Sequence, residues 1–359
     1  MVRNYKTAVR SLALAAAATL AFSIHTAAGQ PAAGGEGLWV AGENNVSEFQ
    51  GAALEASGEP NPHLAFTIKS YFGPLSMAFD RHNNLWIVSS GMVDGAFPII
   101  EVSRADIASV KTGKMVKHRA IFPRAIGIPL GIPWGSLAFD DAGDLWASNF
   151  TAIVKLRPSQ IEEKRVPLVV VGITSPIFIH SVTRFDLSNN LWVSAGLGGP
   201  QLWRFAPHNR RASGFPHPSL KVNVPDALGP VDLAFDSSGN MWVAGTGSHG
   251  DELEMIVADD LTGSGEISPS AAVTITSSAF GPVGSSSCLG GIDFDHSGDL
   301  WISVVGGGGD CETNSQIVEF TPGQLSAGGN QAPSITIGQN STQTNLFLPG
   351  PIRFGPRLR

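Results

Sequence analysis

The chain has 359 residues, 43% of them hydrophobic and 15% charged, and carries a formal net charge of −7. That acidic balance argues against nucleic acid or an anionic membrane surface as a partner, because both select basic patches. Length alone suggests two domains, an expectation that the repeats described below overrule.

Arg3, Lys6 and Arg10 precede an apolar run from Leu12 to Ile24, and Thr26-Ala27-Ala28 follows it. This is the three-part layout of a secretory signal peptide. The run is shorter than the roughly 18 residues that suggest a membrane-spanning helix, and no second apolar stretch of comparable length follows. Cleavage is expected after Ala28, giving a secreted or periplasmic chain without a membrane span, with residues 29–36 as a linker. Residues 1–28 hold three of the 23 Lys+Arg and none of the 30 Asp+Glu, so cleavage moves the net charge to about −10.

From Leu38 onward one unit recurs. Leu38-Trp39-Val40 opens the domain without a preceding Phe-Asp pair. Complete copies then place a Phe-Asp pair, a short turn and an apolar-Trp pair at constant spacing: Phe79-Asp80 to Leu85-Trp86, Phe139-Asp140 to Leu145-Trp146, Phe185-Asp186 to Leu191-Trp192, Phe235-Asp236 to Met241-Trp242, and Phe294-Asp295 to Leu300-Trp301. Pro351 to Gly355 closes the chain with the Phe but no following Trp, so each end supplies what the other lacks. After each Trp comes an alternating segment such as Gln316 to Phe320, with counterparts at Val46, Ile99, Ile153, Leu202 and, more loosely, Met255 to Val257. A fourth segment is clearest at Pro333 to Ile337.

Four alternating segments per repeat, separated by Gly, Pro, Asn and Ser, read as four antiparallel strands. Six such sheets make an all-β, six-bladed β-propeller over residues 37–356. The segment around Ile352 is expected as the innermost strand of the blade whose other strands come from residues 37–68, closing the ring. The Trp-to-Trp spacings of 47, 60, 46, 50 and 59 residues exceed what four strands need, and the surplus is expected in loops, since no amphipathic helix of convincing length appears. Phe and Trp lie on adjacent strands of a hairpin, where their rings can fill the wedge between blades. The turn residues tolerate positive φ, and the Asp carboxylate can accept bonds from turn amides. A calcium-binding EF-hand loop would need further ligands and a terminal Glu that these turns lack.

This unit, best seen at Phe235 to Val243, resembles the NHL-repeat family and its bacterial relatives, the streptogramin lyases and gluconolactonase-like propellers. The resemblance spans nearly all of residues 37–356 and implies the fold, while these families run unrelated chemistries on it. The lyases tend to continue the Trp strand with an aromatic-Thr-Glu sequence, whereas here Val88-Ser89, Ala147-Ser148, Val193-Ser194, Val243-Ala244 and Ile302-Ser303 follow. Neither the lyase His set nor the lactonase metal ligands map onto matching positions, so no catalytic residue is carried over.

Residues that break the repeat mark candidate ligand sites at the channel mouth. Six positions before the Asp of the Phe-Asp pair, His180 and Trp134 stand where two other blades have Pro, and Asp232 is the one acidic residue at its own repeat position. The segment after Trp242 reads Ser248-His249-Gly250-Asp251-Glu252, and that after Trp301 includes Asp310-Cys311-Glu312. His beside carboxylates suits a divalent metal ion or acid–base work. Trp134, His180, Asp232, His249 and Asp251 are therefore the candidate ligand-binding residues. Gly245-x-Gly247-x-x-Gly250 is followed by a strand rather than the helix that a dinucleotide site requires. Cys288 and Cys311 in an exported chain are expected to form a disulfide, because both fall at the same edge of one hairpin.

Two functions compete. One is a binding scaffold, expected as a monomer, for a protein, glycan or small-molecule ligand at one propeller face. The other is a metal-assisted hydrolase or lyase near His180, Asp232 and His249.

Overall fold

A computed structural model describes residues 36–357 except 43–44, 70–72, 90, 92–96, 123–133, 150–151, 163–169, 172–178, 196–199, 212–215, 228, 248–249, 282–287, 306–314 and 339–349. The chain forms six radial antiparallel sheets, each with four strands running from the axis outward. Blade 2 is Pro74–Phe79, Leu85–Ser89, Ile99–Val102 and Arg119–Ile121; blade 3 is Trp134–Phe139, Leu145–Asn149, Ile153–Leu156 and Val170–Val171. Blade 4 is Ile179–Phe185, Leu191–Ala195, Gln201–Phe205 and Leu220–Asn223. Blade 5 is Gly229–Phe235, Met241–Gly247, Gly250–Ile256 and Val273–Thr276; blade 6 is Leu289–Phe294, Leu300–Val304, Gln316–Phe320 and Ile335–Gly338. The innermost strands touch one another in a closed circle around the axis.

Blade 1 draws on both chain ends. Its innermost strand is Ile352–Pro356, which pairs with Glu36–Ala41 in the register Leu38–Phe354, Trp39–Arg353 and Val40–Ile352. Asn45–Phe49 and Leu64–Ile68 complete it. The Phe and Trp of the repeat then explain how the ring holds. Each Trp ring meets the Phe of the next blade, mostly edge to face: Trp39–Phe79 at 5.4 Å between centroids, Trp86–Phe139 at 5.8 Å, Trp146–Phe185 at 6.3 Å, Trp192–Phe235 at 6.1 Å and Trp242–Phe294 at 6.4 Å. Trp301–Phe354 at 6.1 Å joins the last blade to the first. Such pairs contribute about 0.5–1.5 kcal/mol each beyond the area they bury.

The turn joining the first and second strands is the same device in blades 2 to 6. In blade 4, Asp186 Oδ1 accepts from the amides of Ser188 and Asn190, and its Oδ2 accepts from Trp192 Nε1 at 2.8 Å. Asp80, Asp140, Asp236 and Asp295 repeat the pattern on Trp86, Trp146, Trp242 and Trp301. The fourth turn residue carries the positive φ: Asn83, Gly143, Asn189, Gly239 and Gly298, between 56° and 83°. One carboxylate thus organises the hairpin and satisfies the indole N–H that the core would otherwise bury unpaired.

Not all of the surplus length lies in loops. Part of it forms short helices at Arg104–Ser109, Pro158–Glu162 and Pro322–Ala327, the last opened by a capping box of Thr321 and Gln324. Another part adds parallel strands to the neighbouring blade. Lys114–Val116 of blade 2 pairs with the outer strand of blade 1, Gly265–Ile267 of blade 5 with that of blade 4, and Gly329–Asn330 of blade 6 with that of blade 5. Gly58 of blade 1 bridges Ile337 of blade 6. The two other seams are crossed by arginines: Arg119 of blade 2 donates to the Ile161 carbonyl of blade 3, and Arg210 of blade 4 reaches Asp140 of blade 3. Strand periodicity reads one blade at a time, and these additions answer a different need, which is covering the open edge of an outer strand.

Candidate functional site

Trp134, His180 and Asp232 fall on innermost strands, the first two at the end of the ring where the fourth-to-first strand connections lead in and Asp232 at mid-strand. Trp134 opens the innermost strand of blade 3 opposite Asn149, and its ring is buried in an apolar cluster with Trp86 and Leu137. His180 lies on the innermost strand of blade 4, opposite Ser194. Asp232 lies on that of blade 5, next to a β-bulge. His249, Asp310, Cys311 and Glu312 lie outside the described residues.

Asp232 is the hub of this wall. Arg184 Nη2 donates to its two carboxylate oxygens at 2.6 and 2.7 Å, and Arg353 Nη1 stands 3.4 Å from Oδ2. The amides of Leu233 and Ile292 add bonds of 2.9 and 3.1 Å. Arg353 also donates to the carbonyls of Ile292 and Ile352. One carboxylate therefore ties together blades 4, 5, 6 and 1. Burial raises its pKa from the ordinary value, and Arg184 with the two amides opposes that rise. Beside it on blade 6, Asp293 accepts from the Phe354 amide at 2.7 Å. Burial pushes the Asp293 carboxyl up to about 7; the Phe354 amide and Arg184 oppose the shift, and Asp232 adds to it.

Asp251 belongs elsewhere. The segment around it is not a loop: the second and third strands of blade 5 run on to Gly247 and restart at Gly250, so Asp251 and Glu252 are strand residues paired with Thr246 and Gly245. Asp251 is buried and accepts from Thr246 Oγ1 at 2.5 Å and from the Cys288 amide at 2.7 Å, tying the third strand of blade 5 to the start of blade 6. The second strand of the blade separates it from Asp232. Cys288 is fully buried, and no free cysteine occurs among the described residues.

One and three residues onward the same strand carries the feature that motif reading passed over. Glu252 and Glu254 are both fully buried, share one face by their two-residue spacing, and lie with Asp226 in a cluster whose ligand oxygens are within 4.8 Å of one another. Asp226 is exposed and sits in the turn Pro225–Ala227 between blades 4 and 5. Burial, then Glu252, then Asp226, push the Glu254 carboxyl up to about 8. The signal was present in the repeat. Glu254 pairs with Val243, and the equivalent partners in blades 2, 3, 4 and 6 are Ile100, Val154, Trp203 and Val318, with Ser47 in blade 1. A carboxylate stands where the other blades place core.

The serines that set this chain apart from the lyase pattern also have work to do. Ser194 Oγ accepts from the Val182 amide, and Ser303 Oγ accepts from that of Gly291 and donates to the Gly350 carbonyl. Both satisfy backbone groups freed by the bulges of the inner strands.

No protein family's sequence profile matches the chain, and no curated protein matches it. Solved structures do. A protein of unknown function from Bacteroides caccae superposes with a TM-score of 0.57 at 12% identity, covering 89% of this chain and 99% of its own. Virginiamycin B lyase from Staphylococcus aureus gives a TM-score of 0.43 at 14% identity, over 79% of this chain and 84% of its own. Propellers of the streptogramin B lyase and gluconolactonase kinds are thus among the structures similar to this one. At these identities the likeness is one of fold.

Proposed function

We propose that the chain is an exported, monomeric propeller that acts as a binding scaffold, presenting a protein, glycan or small-molecule ligand with the face where the second-to-third and fourth-to-first connections emerge. The observation that carries this reading is the engagement of Asp232, the buried acid that breaks the repeat on the inner strands. Two arginines and two amides already hold it, which makes it a clamp between blades. The connections on the proposed face also differ in length between blades, from Gly247 to Gly250 in blade 5 and from Val304 to Gln316 in blade 6. A rigid ring with a variable rim is the usual layout of a recognition surface. Export rests on the N-terminal sequence, and amino-terminal sequencing of the exported protein should begin at Gly29. A Cys288–Cys311 bridge would pin the rim of blade 6, and thiol titration of the denatured, unreduced protein should find no free thiol.

Exposed Leu75, near the start of the inner strand of blade 2, and exposed Leu187, in the turn on the opposite face, provide the test. Ligands found in a glycan and exported-protein screen should lose binding to Leu75→Glu and keep it with Leu187→Glu. Binding indifferent to Leu75→Glu would sink the proposed face. Metal-dependent turnover of lactones or cyclic depsipeptides by the purified protein would establish the hydrolase or lyase instead.

A further inference from the structure

We propose that Asp226, Glu252 and Glu254 form a calcium site in the seam between blades 4 and 5, outside the central channel and independent of whether the rim binds or catalyses. Three carboxylates come together there from two elements distant in the fold, a third strand and an interblade turn. The independent observation is Glu254. Its side chain is fully buried, points into the cluster, and neither carboxylate oxygen has a hydrogen-bond partner among the described residues. A buried carboxyl without a partner is costly whether ionised or neutral, because the neutral form still has an O–H to satisfy. A divalent cation removes that cost and the repulsion from Glu252 together.

The donor set selects the ion. All three groups offer hard oxygen and neither thiol nor imidazole is among them, which suits calcium rather than zinc or copper. Thr274 and Thr276 stand directly opposite Glu254 and Glu252 on the outer strand, adding hydroxyls to the same face. Val243, across from Glu254 on the other side, belongs to the apolar cluster shared with Trp192 and Leu202 of blade 4, so the site is walled by the interblade core. Exposed Asp226 leaves one side open for water and for the ion to enter. A cation bound here would staple the Pro225–Ala227 turn onto blade 5.

The purified protein is stripped with a chelator and then followed by thermal denaturation and equilibrium dialysis with calcium alone. Exported calcium modules bind at about 0.1–1 mM. One calcium per chain is expected in that range, with a rise in melting temperature of about 2–4 °C at ten times the dissociation constant. Magnesium should act at least tenfold more weakly. Glu254→Gln, which keeps the shape and removes the charge, should abolish the calcium-dependent rise. Should that variant not fold, Asp226→Asn, changed on an exposed turn, should weaken calcium binding at least tenfold. Absence of calcium binding by the wild type up to about 10 mM, or binding undiminished in the variant that folds, overturns the site.

Discussion

Blades 2 to 6 and blade 1 solve one packing problem in two ways. In the five continuous blades the Trp indole donates to the Asp that shapes its own hairpin turn. In blade 1 the turn is replaced by the two chain ends. Gly355 holds the Asp position, and Trp39 Nε1 is buried without a partner among the described residues. An Asp cannot be restored at that point, because a Cβ on Gly355 would stand 2.4 Å from the ring of Phe79. Phe79 instead makes the shortest Trp–Phe contact of the repeat, 5.4 Å to Trp39. The continuous blades are held by local bonds, whereas the split blade is held by contacts between residues some 300 positions apart.

The largest effect should come from removing those distant contacts. Deleting residues 350–359 takes away the strand paired with Glu36–Ala41, the ring packed on Trp301 and the Arg353 link to Asp232. The truncated protein is expected to aggregate or lose its cooperative thermal transition. Retention of the full-length transition would show that blade 1 closes without its inner strand.

A smaller effect separates the two kinds of blade directly. Trp192→Phe and Trp39→Phe remove the same atoms from fully buried sites, but only the first breaks a hydrogen bond, the one to Asp186, whose Oδ2 keeps its bond from Asn190 Nδ2. Denaturant unfolding should show Trp192→Phe costing about 1–2 kcal/mol more than Trp39→Phe. Equal costs would mean that the Asp–Trp bond contributes nothing net.

The closing strand should also carry a pH dependence. Asp293, which accepts from the Phe354 amide, has its carboxyl raised to about 7, above the value of the unfolded chain. Between about pH 4 and 7 the folded protein holds a proton there that the unfolded chain has released, so stability falls as pH rises through that window. Asp293→Asn should flatten this part of the melting-temperature profile relative to wild type. An unchanged profile would show that Asp293 titrates normally.

The repeat made most of the fold legible, because each blade restates the same Phe-Asp and Trp at fixed spacing and the split copy announces where the ring closes. The parallel additions at Lys114–Val116, Gly265–Ile267 and Gly329–Asn330 were not legible, since two or three residues show no period and their pairing partner lies in another blade. Asp232 stood out as an acid at its repeat position, but its partners Arg184 and Arg353 come from other blades, so its role as a clamp could not be read locally. Asp251 was misplaced for a related reason: Gly245, Gly247 and Gly250 read as loop, while in the sheet they belong to two paired strands. Glu254 could have been found by aligning third strands against Ile100, Val154, Trp203 and Val318. Scanning for known motifs does not make that comparison.

The outer additions have a consequence for how the molecule opens. Each fastens the perimeter of one blade to the next, by backbone pairing at four seams and by Arg119 or Arg210 at the two flanking blade 3. Amide protons in the outer strands of a propeller without such fasteners would exchange blade by blade as each edge frays. Here the slowest-exchanging unit should extend around the rim from blade 4 through blades 5, 6 and 1 to blade 2, and the first amides to exchange should be those of Val170–Val171 in blade 3, where, among the described residues, side chains alone fasten the seams.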